Sequence, residues 1–71
     1  MTQKLLKTLC DFTKLMACKL NKRAQAGWHG WDEARYKQLL LEKLHRNLKQ
    51  EDYIDAANLA MFLWYLKEKE K

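Results

Sequence analysis

The sequence contains no proline, no serine and no valine, with one isoleucine and two glycines. Each shortage excludes something. The β-branched residues are three threonines and Ile54, which is almost nothing from which to build a pleated sheet. Without proline, no helix is interrupted by a missing N–H. Without serine, a Ser-His-Asp triad is impossible. Cysteine is limited to Cys10 and Cys18. Eight helical positions place them about 12 Å apart, beyond disulfide reach. They read as free thiols of a reducing compartment, buried or inert, with no CxxC or Cys/His zinc spacing around them. Long apolar runs are missing too. The longest, from Leu59 to Leu66, has eight residues, against about 20 for a membrane-spanning helix. Lys4 and Lys7 interrupt the opening segment, so it does not read as a signal sequence. These absences predict a cytoplasmic protein with no membrane segment.

What is present is 71 residues, 48% apolar and 32% charged, with 13 leucines. A domain of this size hides only about 60% of the surface its unfolded chain exposes. The length therefore allows one small helical domain over residues 1–71 and excludes a multi-domain enzyme. The expected architecture is all-α: a three-helix bundle, or a helical hairpin plus an N-terminal helix, completed by dimerisation. The net charge of +5 is uneven. Residues 1–26 carry six Lys/Arg against Asp11, whereas residues 51–71 carry three lysines against five acids. A basic first half attracts polyanions or an acidic partner.

Leu5, Leu9, Phe12, Met16 and Leu20 recur at helical steps, with Lys4, Lys7, Lys14 and Lys22 roughly opposite. This predicts a helix over 2–26, capped by Thr2 and ended by Gly27, with Lys22 and Arg23 in its last turn. Gly27-Trp28-His29-Gly30 is the strongest break in the chain. A second helix is predicted over 32–48, with Asp32 as N-cap, Glu33 in its first turn and Trp31 stapled to Tyr36. Its stripe is Tyr36, Leu40, Leu44 and Leu48, with Leu41 at the edge. A third is predicted over 51–68, ahead of a frayed 67–71 end. It is apolar on two sides: Leu59, Phe62, Leu63 and Leu66 on one, Tyr53, Ala57, Met61 and Trp64 on the other. Such a helix needs covering on both, which a second chain would supply.

Asp52, Asp55 and Asn58 climb one side of the third helix at three-residue steps. Asp55 also heads the stripe of Leu59, Phe62 and Leu66, where an unpaired carboxylate is costly to desolvate. Three readings are open. The pair caps the helix, or it holds Mg²⁺, or it pairs with the basic first helix.

The run from Glu51 to Trp64, together with Gly27-Trp28-His29-Gly30-Trp31 and Leu40-Leu41-Glu42-Lys43-Leu44, resembles small phage-encoded MazG-like proteins. These belong to the all-α nucleoside triphosphate pyrophosphohydrolase superfamily, and the resemblance covers about residues 27–66. It implies a Mg²⁺-dependent hydrolase that releases pyrophosphate, or a catalytically degenerate relative, usually dimeric or tetrameric. By position, Asp52 and Asp55 fill the ExxD places and Glu42 the first place of ExxE, while His45 stands where the family has Glu. The implied metal set is Glu42, His45, Asp52 and Asp55, with Glu42 and Asp55 catalytic and Asn58 accompanying the substrate. Glu42 lies about 160° around its helix from Leu44, so a site uniting it with Asp55 would have to form across a dimer.

Trp28 and Trp31 flank the glycine turn and read as a base-stacking platform, as anchors for a partner protein, or as a plug over the open end of the bundle. Lys22 on the basic face would position a triphosphate. Two alternatives to the enzyme follow. A small basic phage protein can bind and block a host protein, here through Trp28, Trp31, Lys7 and Lys14. The lysine face of helix one can instead track nucleic acid, although it lacks arginine clusters and interleaved aromatics.

Overall fold

A computed structural model describes residues 1–70. Among them the chain is all-helical: α1 spans Gln3–Gln25, α2 Lys37–Lys49 and α3 Tyr53–Lys69, with a 3₁₀ turn at Ala34–Tyr36 ahead of α2. No helix is long and apolar enough to cross a membrane.

Local chemistry accounts for most boundaries. Thr2 accepts the Leu5 N–H at 3.1 Å and starts α1. Gly27, at φ 83°, ends it. There the Gly27 N–H donates to Ala24 O and the Trp28 N–H to Arg23 O, the paired bonds of a Schellman motif. The second helix starts later than predicted. Glu33 is extended, with φ −106° and ψ 127°, so a helix capped by Asp32 cannot run through it. The chain instead makes tight bonds from the Glu33 N–H to Gly30 O and from the Tyr36 N–H to Glu33 O. Gly30, at φ 96°, is buried under the Tyr36 ring: a Cβ there would lie 2.9 Å from a ring carbon. The predicted Trp31–Tyr36 staple is likewise replaced, because Trp31 turns to Phe62 and Tyr65 with centroids 5.0 and 5.2 Å apart. At the far end α3 continues through Lys67 to Lys69, where fraying was expected; Lys71 lies outside the described residues.

The core is small. Leu40 of α2 meets Leu59, Phe62 and Leu66 of α3, with Leu20, Trp28, Trp31, Leu44 and Leu63 half-buried around them. The stripe predicted on α3 is therefore the buried one. Its second side is open: Tyr53, Met61 and Trp64 are exposed, Trp64 by 61%. The stripe on α1 divides. Phe12, Met16 and Leu20 are partly covered, but residues 1–11 are all exposed, Leu5 and Leu9 among them. At 23 residues α1 is about 34 Å long, against about 26 Å for α3. The two overlap only along the C-terminal half of α1.

The shape reflects this. The accessible surface is 5729 Å² for 8.6 kDa, whereas a compact monomer of that mass exposes about 4,700 Å². The radius of gyration is 13.3 Å, against about 11 Å for a compact chain of this length. About 1,000 Å² is thus exposed beyond what a self-sufficient domain of this mass shows.

Candidate functional site

The acidic pair of α3 faces the basic end of α1. Asp52 is the N-cap of α3, accepting the Asp55 N–H at 3.2 Å. Its two oxygens also lie 3.3 and 3.4 Å from Lys19 Nζ. Asp55, with a side chain only 13% exposed, presents Oδ2 to Lys19 Nζ at 3.3 Å and to an Arg23 guanidinium nitrogen at 3.2 Å. Lys19 and Arg23 are one turn apart on α1, so one face of that helix delivers both cations to one carboxylate. Lys19 bridges both acids. Asn58, buried one turn beyond Asp55, donates from Nδ2 to the Met16 carbonyl of α1 at 3.3 Å. Three polar residues of α3 therefore fix the crossing of α1. The Oδ1 atoms of Asp55 and Asn58 are buried without a protein partner.

The electrostatics follow from this geometry. The Asp55 backbone N–H, reinforced by Lys19, holds the Asp52 carboxyl below the usual aspartate value against the opposing effect of desolvation. Partial desolvation pulls the Lys19 ammonium down, but hydrogen bonds and charge from Asp52 and Asp55 outweigh it and hold it above the usual lysine value.

The other proposed ligands lie elsewhere. Glu42 and His45 are exposed on α2, and Leu44 between them is half-buried against the core. Among the described residues no three of His, Cys, Asp and Glu gather as a metal group. Glu42, His45, Asp52 and Asp55 do not converge within one chain. The fit to Mg²⁺ is also poor at the pair itself. That ion wants oxygen donors and water around it, whereas Lys19 Nζ stands within 3.4 Å of both carboxylates and Arg23 beside the second.

Trp28 and Trp31 are half-buried, with Trp28 5.5 Å from the Phe62 ring by centroid and Trp31 against Phe62 and Tyr65. The Arg23 guanidinium stacks over Trp28 at 5.5 Å. Lys22 and Lys14 are exposed, and Lys7 pairs with Asp11 at 3.0 Å. Cys10 and Cys18 are free, as expected, and both are exposed.

Sequence reasoning missed Arg23 as a partner of Asp55. The signal was available in the four-residue spacing of Lys19 and Arg23 beside Met16 and Leu20, which puts both cations on the edge of the packed face. It also missed an open groove of about 620 Å³ between the 3₁₀ turn, α2 and α3, floored by Leu41, Leu63 and Trp64 and rimmed by Arg35, Lys37 and Lys67.

Comparison with known protein families, curated proteins and solved structures returns no match for this chain.

Proposed function

We propose that this is a MazG-like protein of phage type whose acidic pair has passed from holding metal to holding a helix, and that it acts in the cytoplasm by binding another protein chain. The observation that carries this reading is the engagement of Asp52 and Asp55 by Lys19 and Arg23. In the pyrophosphohydrolase reading those carboxylates would bind Mg²⁺, and Glu42 would join them. Here two cations of the same chain already neutralise them, and Glu42 faces solvent. The ancestral motif then explains why acids head an apolar stripe, and the ion pairs explain how the chain tolerates them.

The binding role draws on the uncovered surface. An excess of about 1,000 Å² compares with about 800 Å² per partner in a standard interface. The first occupant is a second copy. The uncovered N-terminal half of α1, with Leu5 and Leu9 exposed, would lie on the outer side of a partner's α3, where Tyr53, Met61 and Trp64 are exposed, and two-fold symmetry would repeat the contact. A host protein is the second occupant, with Trp64 a better anchor than Trp28 because it is the more exposed ring.

Incubation with Mg²⁺ or Mn²⁺ and a panel of nucleoside triphosphates, following pyrophosphate release, tests the first half of the proposal. No turnover is expected, and the Asp55→Asn variant should give the same baseline. Pyrophosphate release that Asp55→Asn abolishes would restore the hydrolase.

A further inference from the structure

A second polar site lies on the other side of Arg23. A cavity of about 190 Å³ is lined by Arg23 of α1 and by Lys43, Arg46 and Asn47 of α2, over Leu59. No carboxylate is among its lining residues. Among the described residues no ion pair holds Lys43 or Arg46, with Glu42 one turn before Arg46 on α2, whereas Arg23 shares Asp55 with Lys19. Lys43 and Asn47 are one turn apart and both half-buried, and Arg46, one residue before Asn47, is exposed at the mouth. The guanidinium of Arg23 is held on two sides, by Asp55 at 3.2 Å and by the Trp28 ring at 5.5 Å. A preorganised guanidinium loses less freedom on binding, and four donor-bearing side chains with no acid suit a group that only accepts hydrogen bonds.

From this convergence we propose that the cavity between α1 and α2 binds a phosphate group carried by a small molecule, with Arg23, Lys43, Arg46 and Asn47 as its ligands. The charges of Lys43 and Arg46, free of any ion pair among the described residues, match a phosphate dianion in number. One compact cluster of four side chains favours a terminal phosphate over a polymer backbone, which needs a track of cations. The exposed lysines at the start of α1 line no part of this cavity. The site is independent of the proposed binding role, since it uses neither the free half of α1 nor the outer side of α3.

The test is a titration of the ¹⁵N-labelled full chain with inorganic phosphate at pH 7.5 and constant ionic strength, with sodium chloride as reference. Saturable shifts are expected at the Asn47 side-chain amide and the Arg23 Nε–H. Lys43→Gln/Arg46→Gln should weaken binding by about tenfold or more, since charge-assisted bonds carry it. Lys49→Gln, at an exposed position of α2 outside the cavity, should leave it unchanged. A nucleoside monophosphate should saturate the same signals, and a single-stranded oligonucleotide of phosphodiesters should not. Should the double variant lose its fold, Arg46→Gln alone carries the same expectation with a smaller effect. Shifts that do not saturate, that chloride reproduces, or that survive the variants would overturn the proposal. So would binding of the oligonucleotide at these residues without binding of phosphate.

Discussion

Asp52 and Asp55 look alike in sequence and do different work. Asp55 is the more enclosed, and it balances two cations through one oxygen. Asp55→Asn removes that charge and leaves Lys19 and Arg23 to re-solvate, which their partial exposure permits; unfolding in urea should show a loss of about 1–2 kcal/mol. Asp52→Asn should cost less, because asparagine caps a helix as well as aspartate does. The reverse ranking would show that the Lys19–Asp52 pair, not the pairs of Asp55, makes the larger contribution. The same cluster sets a pH window. The depressed Asp52 carboxyl contributes stability that is present above its unfolded value near 3.8 and is lost as pH falls through its lower folded value. The raised Lys19 ammonium contributes stability that is present below 10.5 and is lost as pH rises through its higher folded value. A plateau is therefore expected between about pH 5 and pH 9, falling on both sides. In denaturation midpoints measured across pH, Lys19→Met should remove the alkaline limb and only reduce the acid one, because the Asp55 N–H still holds the Asp52 carboxylate; an alkaline limb that persists in that variant would assign it to other groups.

Helix ends show how far the chain's local chemistry could be read in advance. Thr2, Gly27 and Asp52 each stand where a cap was expected, because their side chains or their backbone freedom announce the role. Two other ends were not legible. Asp32 and Glu33 look like the first turn of a helix, yet the stacking of Tyr36 on Gly30 holds the chain in tight turns until Lys37. That contact joins residues six apart through a ring and an empty Cβ position, which periodicity does not encode. The α2–α3 junction hides a second case. Glu51 adopts φ 59° and closes a Schellman motif, with bonds from Glu51 N–H to Leu48 O and from Asp52 N–H to Asn47 O, at a position that glycine usually holds. Glu51→Gly should stabilise the fold by about 1 kcal/mol, raising the thermal midpoint by roughly 4–8 °C. Gly30→Ala should destabilise it by about 2 kcal/mol or more, since it adds both strain and a clash. Calorimetry of the two variants separates the ends; a neutral Glu51→Gly would mean that the glutamate side chain has a compensating partner.

At the scale of the whole molecule, the α3 stripe predicted from sequence is the core, but the α1 stripe only half belongs to it. Periodicity identifies an apolar face without identifying what covers it, and the first eleven residues keep a regular Leu5–Leu9 spacing with no neighbour in the chain. The candidate site was legible in its residues and not in its assembly: Asp52 and Asp55 were named, while the partners that answer them come from 33 and 32 positions away. An uncovered apolar stripe on α1 and an uncovered apolar side on α3 are what a reciprocal two-chain contact requires. Sedimentation at micromolar concentration should therefore show a dimer. Leu9→Glu should return it to a monomer by placing charge in the contact, and Trp64→Glu should do so from the other side, with little change in helicity because neither residue is buried in the chain. Because one interface joins the two faces, each single variant should abolish the dimer as completely as the pair. A chain that sediments as a monomer at high concentration would leave those faces to a different protein. A dimer that survives either substitution would place the contact elsewhere.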